Sequence, residues 1–180
     1  GAVFGMLYGR SFWYGPYIPI YLIASAVVCG CAAIIFFTYL GYKITGEKLD
    51  KAMELALQTV GKIWVLGIAI VVFISTWNYL TGLTASESKV LAVKELLTGK
   101  YAFNFWFFEV LFALLIPLFL LLVSNFKNIN QMFAASIFTL IGFLFVRIDM
   151  VVVGQIVSHY IDYNITDFPK ILSYSPTLYE

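Results

Sequence analysis

Four long apolar runs set the rhythm of the chain: Tyr17 to Gly41, Thr59 to Leu80, Ala102 to Val123 and Met132 to Val157. As helices rising about 1.5 Å per residue, each is long enough to cross the roughly 30 Å hydrocarbon layer of a bilayer. The runs are continuous and do not alternate between apolar and polar positions, which predicts helices over the strands of a membrane barrel. Between the first two, TGEKLDKAMELALQTVGKIW places Leu49, Met53 and Leu57 at four-residue spacing with charges elsewhere. This pattern predicts an amphipathic helix along the membrane surface ahead of the second span. SESKVLAVKELLTGK repeats the theme, with Ser86 or Ser88 as a cap and Val90, Val93 and Leu97 as the apolar face. Only SNFKNINQ joins the last two runs, so they are expected to be antiparallel neighbours. The fold class is therefore all-α: one polytopic bundle of four membrane-spanning helices, 17–41, 59–80, 102–123 and 132–157, plus interfacial amphipathic helices.

Composition agrees: 62% of the 180 residues are hydrophobic, 18% aromatic and 12% charged, with a mean hydropathy of +0.91. A net charge of +1 supplies no footprint for nucleic acid. The loop cations divide evenly, Arg10, Lys89, Lys94, Lys100 and Lys170 against Lys43, Lys48, Lys51, Lys62 and Lys127, so the positive-inside rule assigns no orientation. Trp13, Tyr14, Tyr17 and Tyr21 surround Pro16 and Pro19, as suits a segment entering through the interface. No basic segment precedes an apolar core at the start, and Thr177 to Glu180, just after Pro176, has the spacing of a capping box. Both features lead to the expectation that the chain is part of a larger membrane protein.

Polar groups inside the apolar runs carry the candidate chemistry. An ionisable side chain in the hydrocarbon layer costs at least about 2.5–3.5 kcal/mol, so it faces protein or water and has a partner. Glu109 in the third run and Arg147 in the fourth are the clearest cases. Reflecting the chain about the third loop puts Glu109 level with about position 146, which predicts a Glu109–Arg147 ion pair. At about 100° per residue, Arg147, Gln155, Ser158, His159 and Asp162 share one stripe, while Asp149 lies about 200° from Arg147. That stripe is the layout of a proton file with His159 at its mouth. Two readings stay open, a static pair pinning two helices together and a proton path through the bundle.

Cys29 and Cys31 point to different faces of one helix and cannot clamp a metal; they fit a small-residue packing patch with Ser25, Ala26, Gly30, Ala32 and Ala33. One histidine does not provide the histidine pair of a membrane haem b, and two cysteines are too few for an iron–sulfur cluster. No phosphate-binding loop, dinucleotide fingerprint, HExxH or GxSxG is present. Any redox cofactor is thus expected in a partner protein.

In order along the chain, WYGPYIPIYLIASAVVCGCA, FNFWFFEVLFALLIPLFLLL, RIDMVVVGQ and YSPTLYE resemble the membrane subunits of the NrfD or polysulfide-reductase type. The RxD and Y-x-P-T-x-x-E elements are most similar to members from alternative complex III, hydrogenase-2 and sulfite-reduction complexes. Glu109, Pro117, Arg147, Asp149, Gln155, Tyr174, Pro176 and Glu180 match the family pattern. The resemblance implies a helical subunit without its own cofactor, in a bacterial or archaeal cytoplasmic membrane. Such a subunit exchanges electrons between menaquinone or ubiquinone and partners that hold the redox centres: an iron–sulfur ferredoxin-like subunit, and a multihaem cytochrome or molybdopterin subunit. Members carry more helices than the four read here; the chain resembles their later bundle, whereas the family's quinone pocket is associated with the earlier one. Glu109, Arg147 and Asp149 are accordingly expected to serve a proton path or core pairing. Trp13, Tyr14 and His159 are the interfacial candidates for a quinone slot. A proton- or ion-translocating transporter fragment and a structural anchor are the competing expectations.

Overall fold

A computed structural model of the chain describes residues 2–46, 49–163, 165, 167 and 169–172, without the side chains of Ala2 and His159. The family-like positions Tyr174, Pro176 and Glu180, and the capping box at 177–180, lie outside the described residues.

The short helix α1 (Ala2–Gly5) leads through turns to α2 (Tyr17–Thr45), and α3 (Lys51–Gly82) returns beside it. Helix α4 (Glu87–Leu97) is the expected amphipathic connector. The third crossing is α5 (Ala102–Asn104), a π-helical segment (Phe105–Leu115) and α6 (Ile116–Ser124), and the fourth is α7 (Ile129–Ile156), followed by a 3-10 turn (His159–Tyr163). Among the described residues four helical crossings are long and apolar enough to span a membrane, as read from the sequence.

One expected element is absorbed into another. The segment around Met53 and Leu57, expected to lie on the surface, continues without a break into the second span. The resulting helix of 32 residues is about 48 Å long, more than the hydrocarbon layer needs. Lys51 to Leu57 hold good helix formers and no proline, and Leu57 is already buried in the core.

The core runs between α2, α3 and α7 through Tyr21, Val28, Ala32, Ile35, Trp64, Ile68, Met132 and Val146. In lipid there is no hydrophobic force between helices, so close packing and small residues hold them. The anticipated small-residue patch on α2 divides accordingly: Ser25, Cys31 and Ala32 face inward, Ala26 and Gly30 outward. The third and fourth crossings are antiparallel neighbours, as expected. The loop between them turns on left-handed Asn125 and Phe126, and Asn128 caps α7 by accepting from the backbone N–H groups of Asn130 and Gln131. Phe108 stacks on Phe145 with ring centroids 3.8 Å apart, and Gly142 lets the α7 backbone rest directly on Ala113.

The π segment has a local cause. Pro117 has no N–H to donate and its ring crowds the carbonyl four residues back, which loosens the preceding turn. The Ile116 N–H reaches back five residues to the Leu111 carbonyl, the spacing of a π turn. Glu109 stands in the middle of this widened stretch.

Candidate functional site

Glu109 and Asp149 come together near the end of the bundle that carries α4 and the amino-terminal segment. Each lies about two turns inside its crossing. Both are buried, at 6% and 2% exposure, and both line an interior cavity of about 20 Å³ with Phe12, Tyr17, Tyr21 and Tyr79. That volume holds about one water molecule. The Tyr79 hydroxyl donates to Glu109 Oε1 at 3.1 Å, and the Asn104 amide donates to Asp149 Oδ1 at 3.3 Å. Asp149 Oδ2 is buried and meets no hydrogen-bond donor among the described residues. Among the described residues, no lysine or arginine lines the cavity.

The expected Glu109–Arg147 ion pair does not form. The Arg147 guanidinium points to α2 and donates to Ser25 Oγ at 2.8 Å; the ion pair present among the described residues is Lys170–Glu87 at the surface. The two groups are nevertheless level, since Val146 borders the same cavity as Glu109. Depth alone does not choose a face. Successive α7 residues turn by about 100°, so Arg147 looks at α2 and Asp149, about 200° further round, looks at Glu109.

The single polar stripe from Arg147 through Gln155 to His159 also divides. Helix α7 ends at Ile156, where the Arg10 guanidinium caps it by donating to the carbonyls of Gly154, Gln155 and Val157 at 3.1–3.5 Å. Gln155 faces outward. Ser158 is buried beside a second, smaller cavity shared with Arg10, Ser11, Phe12 and Ser88. Asp162 turns to α4, accepting from Ser88 Oγ at 2.6 Å and from the Ser88 backbone N–H at 3.3 Å, so a carboxylate caps that helix. Ser88 Oγ also hydrogen-bonds Ser11. His159 heads the 3-10 turn, and its side chain lies outside the described residues.

Of the interfacial aromatics, Trp13 is buried, lies edge-on to Phe4 and donates from Nε1 to the Met150 carbonyl at 3.0 Å. Tyr14 is exposed and packs on Tyr8. Neither borders the Glu109–Asp149 cavity. The cavity instead recruits Tyr79 and Tyr17 beside the carboxyls and Asn104 behind Asp149, none of which the sequence pattern singled out as a site; the available signal was a polar residue near the end of each apolar run.

A family profile described as "Polysulphide reductase, NrfD" matches residues 1–158, which include every described member of the site up to Ser158. The chain belongs to the NrfD polysulphide reductase family. A relative described as a selenate reductase subunit, from Mesobacillus selenatarsenatis, is 25% identical over 185 residues, an alignment covering 100% of this chain. The chain spans 42% of that relative's length. No solved structure matches. This NrfD-family chain is thus an integral membrane protein related to a reductase component, and its polar centre is a pair of buried carboxyls.

Proposed function

We propose that the chain serves a quinone-linked reductase complex of a bacterial or archaeal cytoplasmic membrane, with Glu109 and Asp149 moving the protons of the quinone reaction. The observation that supports this is the carboxyl pair itself, buried around one cavity with no cation among the described residues that line it. An isolated carboxylate in an apolar interior is costly, so such a pair is suited to binding protons and passing them on in turn. Oxidation of a quinol releases two electrons and two protons. The electrons go to iron–sulfur or haem groups in partner proteins, because one histidine and two cysteines supply no such centre here. The protons are left to acceptors of the kind Glu109 and Asp149 provide. The selenate reductase relative favours electron flow out of quinol towards a terminal acceptor.

The test uses the intact complex in vesicles, with quinol-driven reduction and proton release followed together. Glu109→Gln and Asp149→Asn keep the shape and most of the hydrogen bonding, and each is expected to lower turnover by about 10²-fold, within the usual range for a lost proton-transfer group. Full turnover in both variants would leave the pair a structural feature and the chain an anchor.

A further inference from the structure

Oxygen dominates the Glu109–Asp149 cavity. Every polar or ionisable side chain on its lining, Tyr17, Tyr21, Tyr79, Glu109 and Asp149, ends in an oxygen atom. Tyr79 donates to Glu109 Oε1, while Asn104, which stands outside the lining, donates to Asp149 Oδ1. Asp149 Oδ2 is then the oxygen left to the cavity; it is buried and meets no hydrogen-bond partner among the described residues. Such an atom is costly to leave bare in either protonation state, since it lacks a donor when ionised and an acceptor when protonated.

We propose that the cavity is a binding site for one Na+ ion, held between Glu109 and Asp149 while the pair keeps a single proton. The inference goes beyond the proton-moving role and does not depend on the quinone reading. One Na+ and one proton against two carboxyl groups make a neutral site, the state that costs least to bury in a membrane interior. A water molecule would satisfy the hydrogen bonding of Asp149 Oδ2 but would leave its charge uncompensated. Donor type narrows the ion. All-oxygen ligands suit hard cations, and among the described residues no three His, Cys, Asp or Glu stand together to hold a transition metal. Size narrows it further. Ca2+ takes about six to eight oxygens and Mg2+ keeps several of its waters, whereas this cavity of about 20 Å³ has room for about one water. Between monovalent ions, attraction to an ionised carboxylate grows as the separation shrinks, which favours Na+ over the larger K+.

Equilibrium binding of radioactive Na+ to the intact complex in nanodiscs, in choline chloride at constant ionic strength, tests this. Asp149→Asn and Glu109→Gln each remove one charged ligand with little change of shape, and each is expected to weaken one site per chain by at least about tenfold. Asp162→Asn is the control, a carboxylate bound to Ser88 outside the cavity, and is expected to keep the ion. Thermal unfolding in choline chloride shows which variants fold. When Na+ then replaces choline, the unmodified complex and Asp162→Asn are expected to gain stability and the two cavity variants are not. Excess K+ is expected to displace the ion at least about tenfold less well than excess Na+. Sodium bound equally by the unmodified complex and by both cavity variants would overturn the site. Displacement by K+ as readily as by Na+ would overturn the assignment to a small ion. Turnover lost in Glu109→Gln and Asp149→Asn, with no Na+ bound by the unmodified complex, would remove the cation and leave the cavity to water and the proposed proton function.

Discussion

Trp13 occupies the space that a side chain at position 154 would need, with its indole lying against Gly154 and its Nε1 donating to the Met150 carbonyl one turn earlier. The amino-terminal segment is pinned to the end of α7 by this contact and by Arg10. Gly154→Ala is therefore expected to destabilise the protein by about 1–3 kcal/mol through overpacking. Gly30→Ala is the control, because nothing lies within 4 Å of the added carbon. That change is expected to be neutral or stabilising by up to about 1 kcal/mol, as Gly is a poor helix residue. Thermal unfolding of the two variants in the same detergent checks the contrast.

Arg10 closes α7 with three carbonyl contacts, placing a cation at the negative end of the helix dipole. Arg10→Met is expected to cost about 1.5–3 kcal/mol, the range for hydrogen bonds to a charged group. All three contacts come from Nη1, and Arg10→Lys should recover only part, since an ammonium is more strongly hydrated than a guanidinium and gives up water less readily to carbonyls. Hydrogen exchange at 153–157 is the direct measurement, and protection retained in Arg10→Met would contradict the capping role.

Coupling energies separate the partners that the structure shows from the pair that depth alone suggested. A double-mutant cycle of Tyr79→Phe with Glu109→Gln is expected to give an interaction of about 0.5–3 kcal/mol, as for residues in one hydrogen bond. The cycle of Glu109→Gln with Arg147→Met should add to within about 0.5 kcal/mol, because Arg147 is engaged with Ser25. Reversible unfolding in mixed micelles supplies the four free energies for each cycle.

What could be read from the sequence follows from what one-dimensional patterns encode. Span number and antiparallel pairing follow from run length and loop length, and the level of Glu109 beside Val146 follows from counting residues away from the Asn125–Asn128 turn. The facing of a polar residue is a different quantity. It depends on the rotation of each helix about its axis, and the π segment changes that rotation through the third crossing, so a constant 100° step misplaces residues there. Gly154 marked in the sequence where the Arg147-to-His159 stripe could break, and α7 does end at Ile156, but the residue that caps it there, Arg10, lies 144 residues before Gly154 in the chain. Continuity of α3 through Met53 was obscured for another reason: an amphipathic stretch and the exposed end of a long span have the same pattern.

Phe12 borders both the Glu109–Asp149 cavity and the small polar cavity of Arg10, Ser11, Ser88 and Ser158. Its ring is the apolar partition between a pair of buried carboxyls and a hydroxyl-rich cluster at the bundle end, where Asp162 is also bound to Ser88. Phe12→Ala removes most of that partition and leaves a space with polar groups on both sides, large enough and polar enough for water to enter. Proton flux into vesicles carrying the variant is expected to rise severalfold over the unmodified protein, read with an internal pH dye under a fixed potential. Adding Asp149→Asn to Phe12→Ala should return the flux to its starting level, since the hydrated route then ends without a titratable partner for Glu109. Flux unchanged in Phe12→Ala would mean that the two cavities do not communicate and that protons reach the carboxyls from another side.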